Sequence, residues 1–115
     1  WIDSGMEIGS HTQNHVRLAE CDIKIATKEI MQSKLDLEGQ FNCSIEHFCY
    51  PYGSYNDEIT AIVKKAGYAT ATTVNRGRAK CGDDLLTLPR VPITHRTFFH
   101  LFIMKIISQY EDNHE

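Results

Sequence analysis

The sequence predicts an α/β protein whose strands run parallel in one sheet. Short segments of strand composition alternate along the chain with two helix patterns, in the order strand, helix, strand, helix, strand. This alternation is typical of βαβ units, in which a helix connects two parallel strands. Polar segments follow the first two strands, where parallel folds carry their functional residues.

Length and composition argue against several other classes of protein. The length of 115 residues suits one domain or part of one, so residues 1–115 are expected to belong to a single domain. A net charge of -3 provides no basic surface for nucleic acid. No apolar run approaches the ~18 residues that a membrane span needs. None of the four cysteines belongs to a C-x-x-C pair, which favours free thiols over a zinc knuckle.

The first predicted elements are a strand end at residues 7–10 and a helix that begins after Asp22. Asp22 is a suitable N-cap, and Gly39 is a suitable stop. The helix has one face of mostly apolar residues at helical spacing. These are Ile23, Ala26, Ile30, Ser33 and Leu37.

A second strand–helix unit follows at residues 47–67. Residues 47–50 have strand composition, and Pro-Tyr-Gly-Ser-Tyr at 51–55 is turn chemistry. Asn56 is placed to cap the next helix, and Gly67 is placed to end it.

The C-terminal part predicts two more strands and a helix. Residues 68–74 form a strand, residues 75–84 a polar loop and residues 97–110 a final helix. Residues 88–93 contain two prolines, which confines a strand there to a sheet edge or to a strand end.

The segment HTQNH places His11 and His15 four residues apart. On a helical turn both imidazoles would face the same way and could share a zinc, cobalt or nickel ion. Asn14 is placed to orient one of the rings. A chain with six histidines contains such a pair by chance in roughly a quarter of cases, so a metal-free pair of loop histidines is an equal alternative.

A catalytic zinc site usually has a third protein ligand, commonly an aspartate. Spacing does not choose among the candidates. They are Asp3, Asp57, Asp83 and Asp84.

Two segments together resemble the polysaccharide deacetylases, carbohydrate esterase family four. Residues 5–18, with His-Thr-x-x-His at their centre, are similar to the metal-binding motif of that family. Residues 48–56, Phe-x-Tyr-Pro-Tyr-Gly-x-Tyr-Asn, are similar to its substrate-groove motif. Ala-Gly-Tyr at 66–68 and Leu-Pro-Arg-Val at 88–91 follow in the family's order, so the resemblance covers about residues 1–94.

The resemblance implies part of a distorted (β/α)7 barrel without its N-terminal strands. It implies a metal-dependent hydrolase that removes N- or O-acetyl groups from chitin-like, peptidoglycan or xylan polymers. By resemblance, His11 and His15 ligate a divalent metal, usually zinc. The backbone N–H of Tyr52 would stabilise the oxyanion, and Pro51 and Tyr52 would line the groove for the acetylated sugar. A secreted or cell-envelope location is suggested by the family alone.

The sequence also departs from the family pattern. The Thr-Phe-Asp-Asp segment that supplies the general base and the third ligand has no match and is expected upstream of Trp1. The chain is therefore expected to be a truncated domain, inactive alone, that associates through a sheet edge with its missing part or with a second copy. Cys49 stands where many members carry an arginine that orients the base. The late Leu-x-His of the general acid is absent, and His95 has different surroundings, which favours a surface histidine.

Three alternatives stay open. The chain could be a non-catalytic relative that binds metal or carbohydrate. The upstream Asp-Asp pair distinguishes the two, because an enzyme would have it and such a relative would lack it. It could be an unrelated α/β domain, in which case His11→Ala and His15→Ala would not change metal affinity. It could also be a deacetylase-like amidohydrolase acting on a small nitrogenous ring, which a substrate panel would identify.

Overall fold

The computed structural model describes residues 2–108 and residue 112. Three strands lie parallel in the order β1-β2-β3, and three α-helices accompany them. The predicted class, α/β with a parallel sheet, is confirmed. In chain order the elements are α1 (Ile23–Phe41), β1 (His47–Cys49), α2 (Asp57–Lys65), β2 (Thr70–Arg76), β3 (Leu88–Arg90) and α3 (Phe99–Ile107).

The strand end predicted at residues 7–10 is only a single parallel bridge between Ser10 and Phe48. The N–H of Ser10 donates to the carbonyl of His47 at 2.8 Å, and the N–H of Cys49 donates to the carbonyl of Ser10 at 3.0 Å. Gly9 permits this approach, since a Cβ there would lie 3.2 Å from the His47 carbonyl oxygen. The segment therefore lies at the sheet edge beside β1.

Helix α1 begins as predicted and ends later than predicted. The carboxylate of Asp22 accepts the N–H of Lys24 at 3.3 Å and caps the helix. The predicted stop at Gly39 is wrong, because the helix continues to Phe41 and ends at Asn42, whose φ is 51°. A glycine inside a helix costs only about 0.5–1 kcal/mol, whereas asparagine is one of the few side chains that tolerate the left-handed region.

The buried face of α1 also differs from the prediction. Ile23, expected on the apolar face, is 42% exposed. Glu29 is buried instead, together with Ala26, Ile30 and Ser33. A carboxylate therefore lies in the part of the helix that packs against the rest of the molecule.

The second strand–helix unit matches its prediction closely. Asn56 accepts the N–H of Ile59 at 2.9 Å and caps α2. The chain leaves α2 through Gly67, whose φ is 94°. Strand β2 extends to Arg76, two residues into the segment predicted as a loop.

The C-terminal elements are shorter than predicted. Strand β3 ends at Arg90 and lies at the edge of the sheet, as its proline requires. Helix α3 begins at Phe99 and ends at Ile107. Of the predicted range 97–110, residues 97–98 precede the helix and Ser108 follows it. Residues 109–110 lie outside the described residues.

The core is built around three aromatic rings. Phe48 lies 5.3 Å from Tyr50 and 5.1 Å from Tyr68, measured between ring centroids. Burial raises the pKa of both tyrosines, and their hydroxyls donate to backbone carbonyls of Leu86 and Ile30. These bonds satisfy the polar end of each buried ring.

Two expectations from composition are tested by the fold. Cys21, Cys43, Cys49 and Cys81 are all free thiols. Across the described residues, no helix combines the length and the apolar character that crossing a bilayer would require.

Candidate functional site

The two sequence motifs meet at one edge of the sheet. The histidine loop follows Ser10, and the Pro-Tyr-Gly turn follows β1, which pairs in parallel with Ser10. Because parallel segments leave a sheet at the same edge, both motifs emerge at the carboxyl ends of the strands. The rings of His15 and Tyr52 lie 4.6 Å apart.

A backbone acceptor selects the tautomer of the neutral His11 ring. Its Nδ1 lies 2.7 Å from the carbonyl oxygen of Cys49. A carbonyl oxygen only accepts, so Nδ1 carries a proton, and in the neutral ring the lone pair is on Nε2. This is the tautomer in which a histidine ligates a metal through Nε2 while its other nitrogen is held by the protein.

His15 approaches His11 through a loop and not through a helical turn. The centroids of the two rings lie 4.6 Å apart, with 65° between the ring planes. Thr12 has φ 66° and His15 has φ 54°, so both residues are in the left-handed region. The N–H of His15 donates to Oγ1 of Thr12 at 3.0 Å. The predicted convergence of the rings is present, but the helical geometry expected for it is wrong.

The two imidazoles fit a divalent metal as part of a ligand set. Both rings are exposed and adjacent, and neutral imidazole is a good ligand for zinc, cobalt or nickel. Within residues 2–108 and 112, no group of three or more His, Cys, Asp or Glu side chains could hold an ion. None of the four candidate aspartates in that part of the chain therefore completes the pair.

The Pro-Tyr-Gly turn has two consecutive residues in the left-handed region. Tyr52 has φ 58° and Gly53 has φ 68°. At Gly53 a Cβ would overlap Cγ2 of the Val74 side chain, and the positive φ is itself strained for other residues, so glycine is required. The N–H groups of Gly53 and Ser54 donate within the turn, whereas the Tyr52 N–H has no hydrogen bond to any described residue.

The two predicted groove residues differ in exposure. Pro51 is fully buried and forms the base of the turn, and Tyr52 is 53% exposed. The guanidinium carbon of Arg17 lies 4.0 Å from the centroid of the Tyr52 ring, and His15 contacts the same ring. A cation over an aromatic face stabilises the position of the ring. The ring of Tyr52 is therefore held in position by Arg17 and His15 and remains accessible beside the histidine pair.

Glu29 belongs to the site and was not predicted. It is 5% exposed and accepts hydrogen bonds from the histidine loop, at Gln13 and Asn14. Burial alone would raise the pKa of Glu29, but the bonds from the Asn14 side chain and from the two backbone N–H groups outweigh it and lower the pKa. The amide of Asn14 thus donates to Glu29, where an orienting contact to a histidine ring was predicted. The feature of the sequence that could have identified Glu29 is its position next to Ile30, which lies on the apolar face of α1.

Arg90 brings a positive charge to the same edge of the sheet. Its Nη2 lies 3.0 Å from Sγ of Cys49 and 3.4 Å from Oγ1 of Thr72. Both atoms accept from the guanidinium, and sulfur is a weak acceptor. The charge therefore reaches the end of β1 from β3. His95 is exposed in the segment between β3 and α3.

Comparison with known proteins supports the resemblance. Residues 1–71 match the sequence model of the family described as polysaccharide deacetylase. Over 90 residues the chain is 29% identical to a putative polysaccharide deacetylase, YxkH, of Bacillus subtilis (strain 168). That match covers 78% of this chain and 32% of the relative, so the chain spans about a third of the relative's length.

Two solved structures are similar over most of the chain. The deacetylase PplD of Streptococcus pyogenes, in complex with acetate, superposes with a TM-score of 0.81 at 30% identity, covering 84% of this chain and 43% of that one. A polysaccharide deacetylase from Bacillus cereus superposes with a TM-score of 0.83 at 30% identity, covering 91% of this chain and 34% of that one.

Proposed function

This chain belongs to the polysaccharide deacetylase family, and from that premise we propose that the protein is a metal-dependent hydrolase that removes N- or O-acetyl groups from a polysaccharide. One observation carries the proposal. The rings of His11 and His15 adjoin at 4.6 Å, and His15 also contacts Tyr52, whose N–H has no hydrogen bond to any described residue. The proposed ligand pair and the proposed oxyanion donor would thus share one site.

His11 and His15 would hold a divalent ion, with zinc as the first choice. The acceptor at Cys49 holds the proton on Nδ1, so the neutral ring presents the lone pair of Nε2 to an ion. When bound, the ion supplies Lewis-acid chemistry and lowers the pKa of water. A further protein ligand would have to come from outside the described residues.

The backbone N–H of Tyr52 is proposed to stabilise the negative oxygen that develops when water adds to the acetyl carbonyl. The left-handed conformation of Tyr52 supports this role, because the hydrogen bonds of the turn are made by the N–H groups of Gly53 and Ser54. A donor already held in place needs no reorganisation during the reaction.

The substrate is proposed to be an acetylated polysaccharide or oligosaccharide. The exposed ring of Tyr52 offers an apolar surface beside the histidine pair, and the Arg17 guanidinium contacts the same ring. Deacetylation releases acetate, and the similar deacetylase of Streptococcus pyogenes was solved in complex with acetate. Many members of the family carry an arginine at the position of Cys49. We propose that the guanidinium of Arg90, which contacts Cys49, supplies that positive charge in this chain.

The sheet is proposed to be part of a distorted (β/α)7 barrel formed by a single domain. The segment at Ser10 is bonded to β1 on one side and ends the sheet formed by the described residues. We propose that this edge pairs with a further strand, from more of the same domain or from a second copy. Size-exclusion chromatography showing a monomer at high concentration would argue against a second copy.

Acetate release tests the proposed reaction. The product of the complete reading frame that encodes this chain is incubated with Zn²⁺ and acetylated oligosaccharides of the chitin, peptidoglycan and xylan classes. Acetate release that disappears in His15→Ala and persists in the control His100→Ala supports the hydrolase. Carbohydrate binding without acetate release supports the alternative, a non-catalytic relative.

A further inference from the structure

A buried carboxylate lies directly beneath the histidine loop. Glu29 is 5% exposed, and both of its oxygens accept hydrogen bonds from that loop. Oε2 accepts the backbone N–H groups of Gln13 at 2.7 Å and Asn14 at 2.9 Å. Oε1 accepts the side-chain amide of Asn14 at 2.7 Å. A buried charge is tolerated only where such bonds satisfy it, so the contact is specific.

The loop needs an external support to keep its conformation. Thr12 and His15 both occupy the left-handed region, which non-glycine residues rarely adopt. Gln13 and Asn14, the two residues between them, are the ones whose N–H groups Glu29 accepts. The carboxylate therefore acts on the residues that connect the two histidines.

We propose that Glu29 is a positioning residue, which holds the loop so that the imidazoles of His11 and His15 stay adjacent and ready to bind one divalent cation. This inference rests on the proposed function of the same two histidines. The carboxylate touches neither ring and acts through the backbone between them. Replacing a residue that hydrogen-bonds a metal ligand directly commonly lowers metal affinity by about 10- to 100-fold, and we expect the lower end of that range for a residue that acts through the backbone.

The test is a titration of the protein with Zn²⁺, comparing wild type with Glu29→Gln. The glutamine side chain has nearly the shape of the carboxylate, but its NH2 group would face an N–H donor of the loop and could not accept its hydrogen bond. We expect Zn²⁺ affinity to fall about tenfold or more, and the amides of Gln13 and Asn14 to exchange hydrogen faster. Glu29→Asp keeps the charge and is expected to bind more tightly than Glu29→Gln.

The matched control is Glu38→Gln, also in α1. Glu38 accepts Nζ of Lys34 at 2.9 Å and the N–H of Ile45 at 3.1 Å, and neither residue belongs to the histidine loop. We expect Zn²⁺ affinity to be unchanged in this variant. A general weakening of α1 would instead lower the affinity of both variants and would overturn the proposal.

The remaining outcomes separate the two claims. If the wild type binds Zn²⁺ and Glu29→Gln binds it equally well, the role of Glu29 is overturned and the proposed function stands. If the wild type does not bind Zn²⁺, the proposed function is overturned together with this role. Should Glu29→Gln fail to fold, Asn14→Ala removes one of the three bonds at an exposed position. A severalfold loss of affinity there supports the proposal, and unchanged affinity overturns it.

Discussion

Nδ1 of His11 lies 2.7 Å from the carbonyl oxygen of Cys49, so a backbone group at the end of β1 selects the tautomer of a histidine in another motif. The bond joins residues 38 positions apart in the chain. It couples the histidine loop to the Pro-Tyr-Gly turn, because that turn begins two residues after Cys49.

The first prediction concerns this tautomer. We expect ¹⁵N NMR spectra at neutral pH to show the His11 proton on Nδ1, because the carbonyl can only accept it. Addition of Zn²⁺ should shift the Nε2 resonance. A neutral ring with its proton on Nε2 and none on Nδ1 in the metal-free protein would contradict the contact with Cys49.

The second prediction concerns the turn at Gly53. We expect Gly53→Ala to destabilise the protein by about 2–4 kcal/mol, because alanine would be strained at φ 68° and its Cβ would overlap the Val74 side chain. Urea denaturation measures the change. The matched control is Gly39→Ala within α1, where nothing lies within 4 Å of the added Cβ. It should stabilise the protein by about 0.5–1 kcal/mol.

The third prediction concerns pH. The folded protein holds the pKa of Glu29 below its ordinary value of 4.5. A depressed pKa contributes stability that is fully present above the unfolded value and is lost as pH falls through the folded value. We expect Glu29→Gln to be less stable than wild type at neutral pH, by about 1–3 kcal/mol, with the gap closing below pH 4.5. Melting temperatures along a pH series measure the gap, and a gap that stays constant into acid would contradict the account.

The fourth prediction separates the ring of Tyr52 from its hydroxyl. We expect Tyr52→Ala to lower affinity for an acetylated oligosaccharide about tenfold, because the exposed aromatic face beside His15 is lost. Tyr52→Phe keeps the face and should bind as the wild type does. Calorimetric titration measures both affinities. Equal affinities in all three proteins would remove Tyr52 from the groove.

Local features of the fold could be predicted from the sequence. Asp22 and Asn56 cap their helices as expected, because an N-cap bond forms within three residues of the cap. The end of α1 could not be chosen correctly, because Gly39 and Asn42 are both suitable stops and only packing decides between them.

The site could be predicted only in part. The resemblance of residues 5–18 to the metal-binding motif of the family predicted that His11 and His15 would converge, and their rings do adjoin. Glu29 could not be assigned, because its bonds to the loop span 15 and 16 residues of sequence. Its burial depends on how α1 packs against that loop, and a helical pattern alone does not contain this information.

The central claim is that His11 and His15 together bind a divalent metal, and titration with Zn²⁺ tests it most directly. The account predicts that one ion binds each chain, and that His11→Ala and His15→Ala each lower the affinity at least about tenfold. His100→Ala, on α3, is the control and should bind as the wild type does. Equal Zn²⁺ affinity in the wild type and all three variants would contradict the claim.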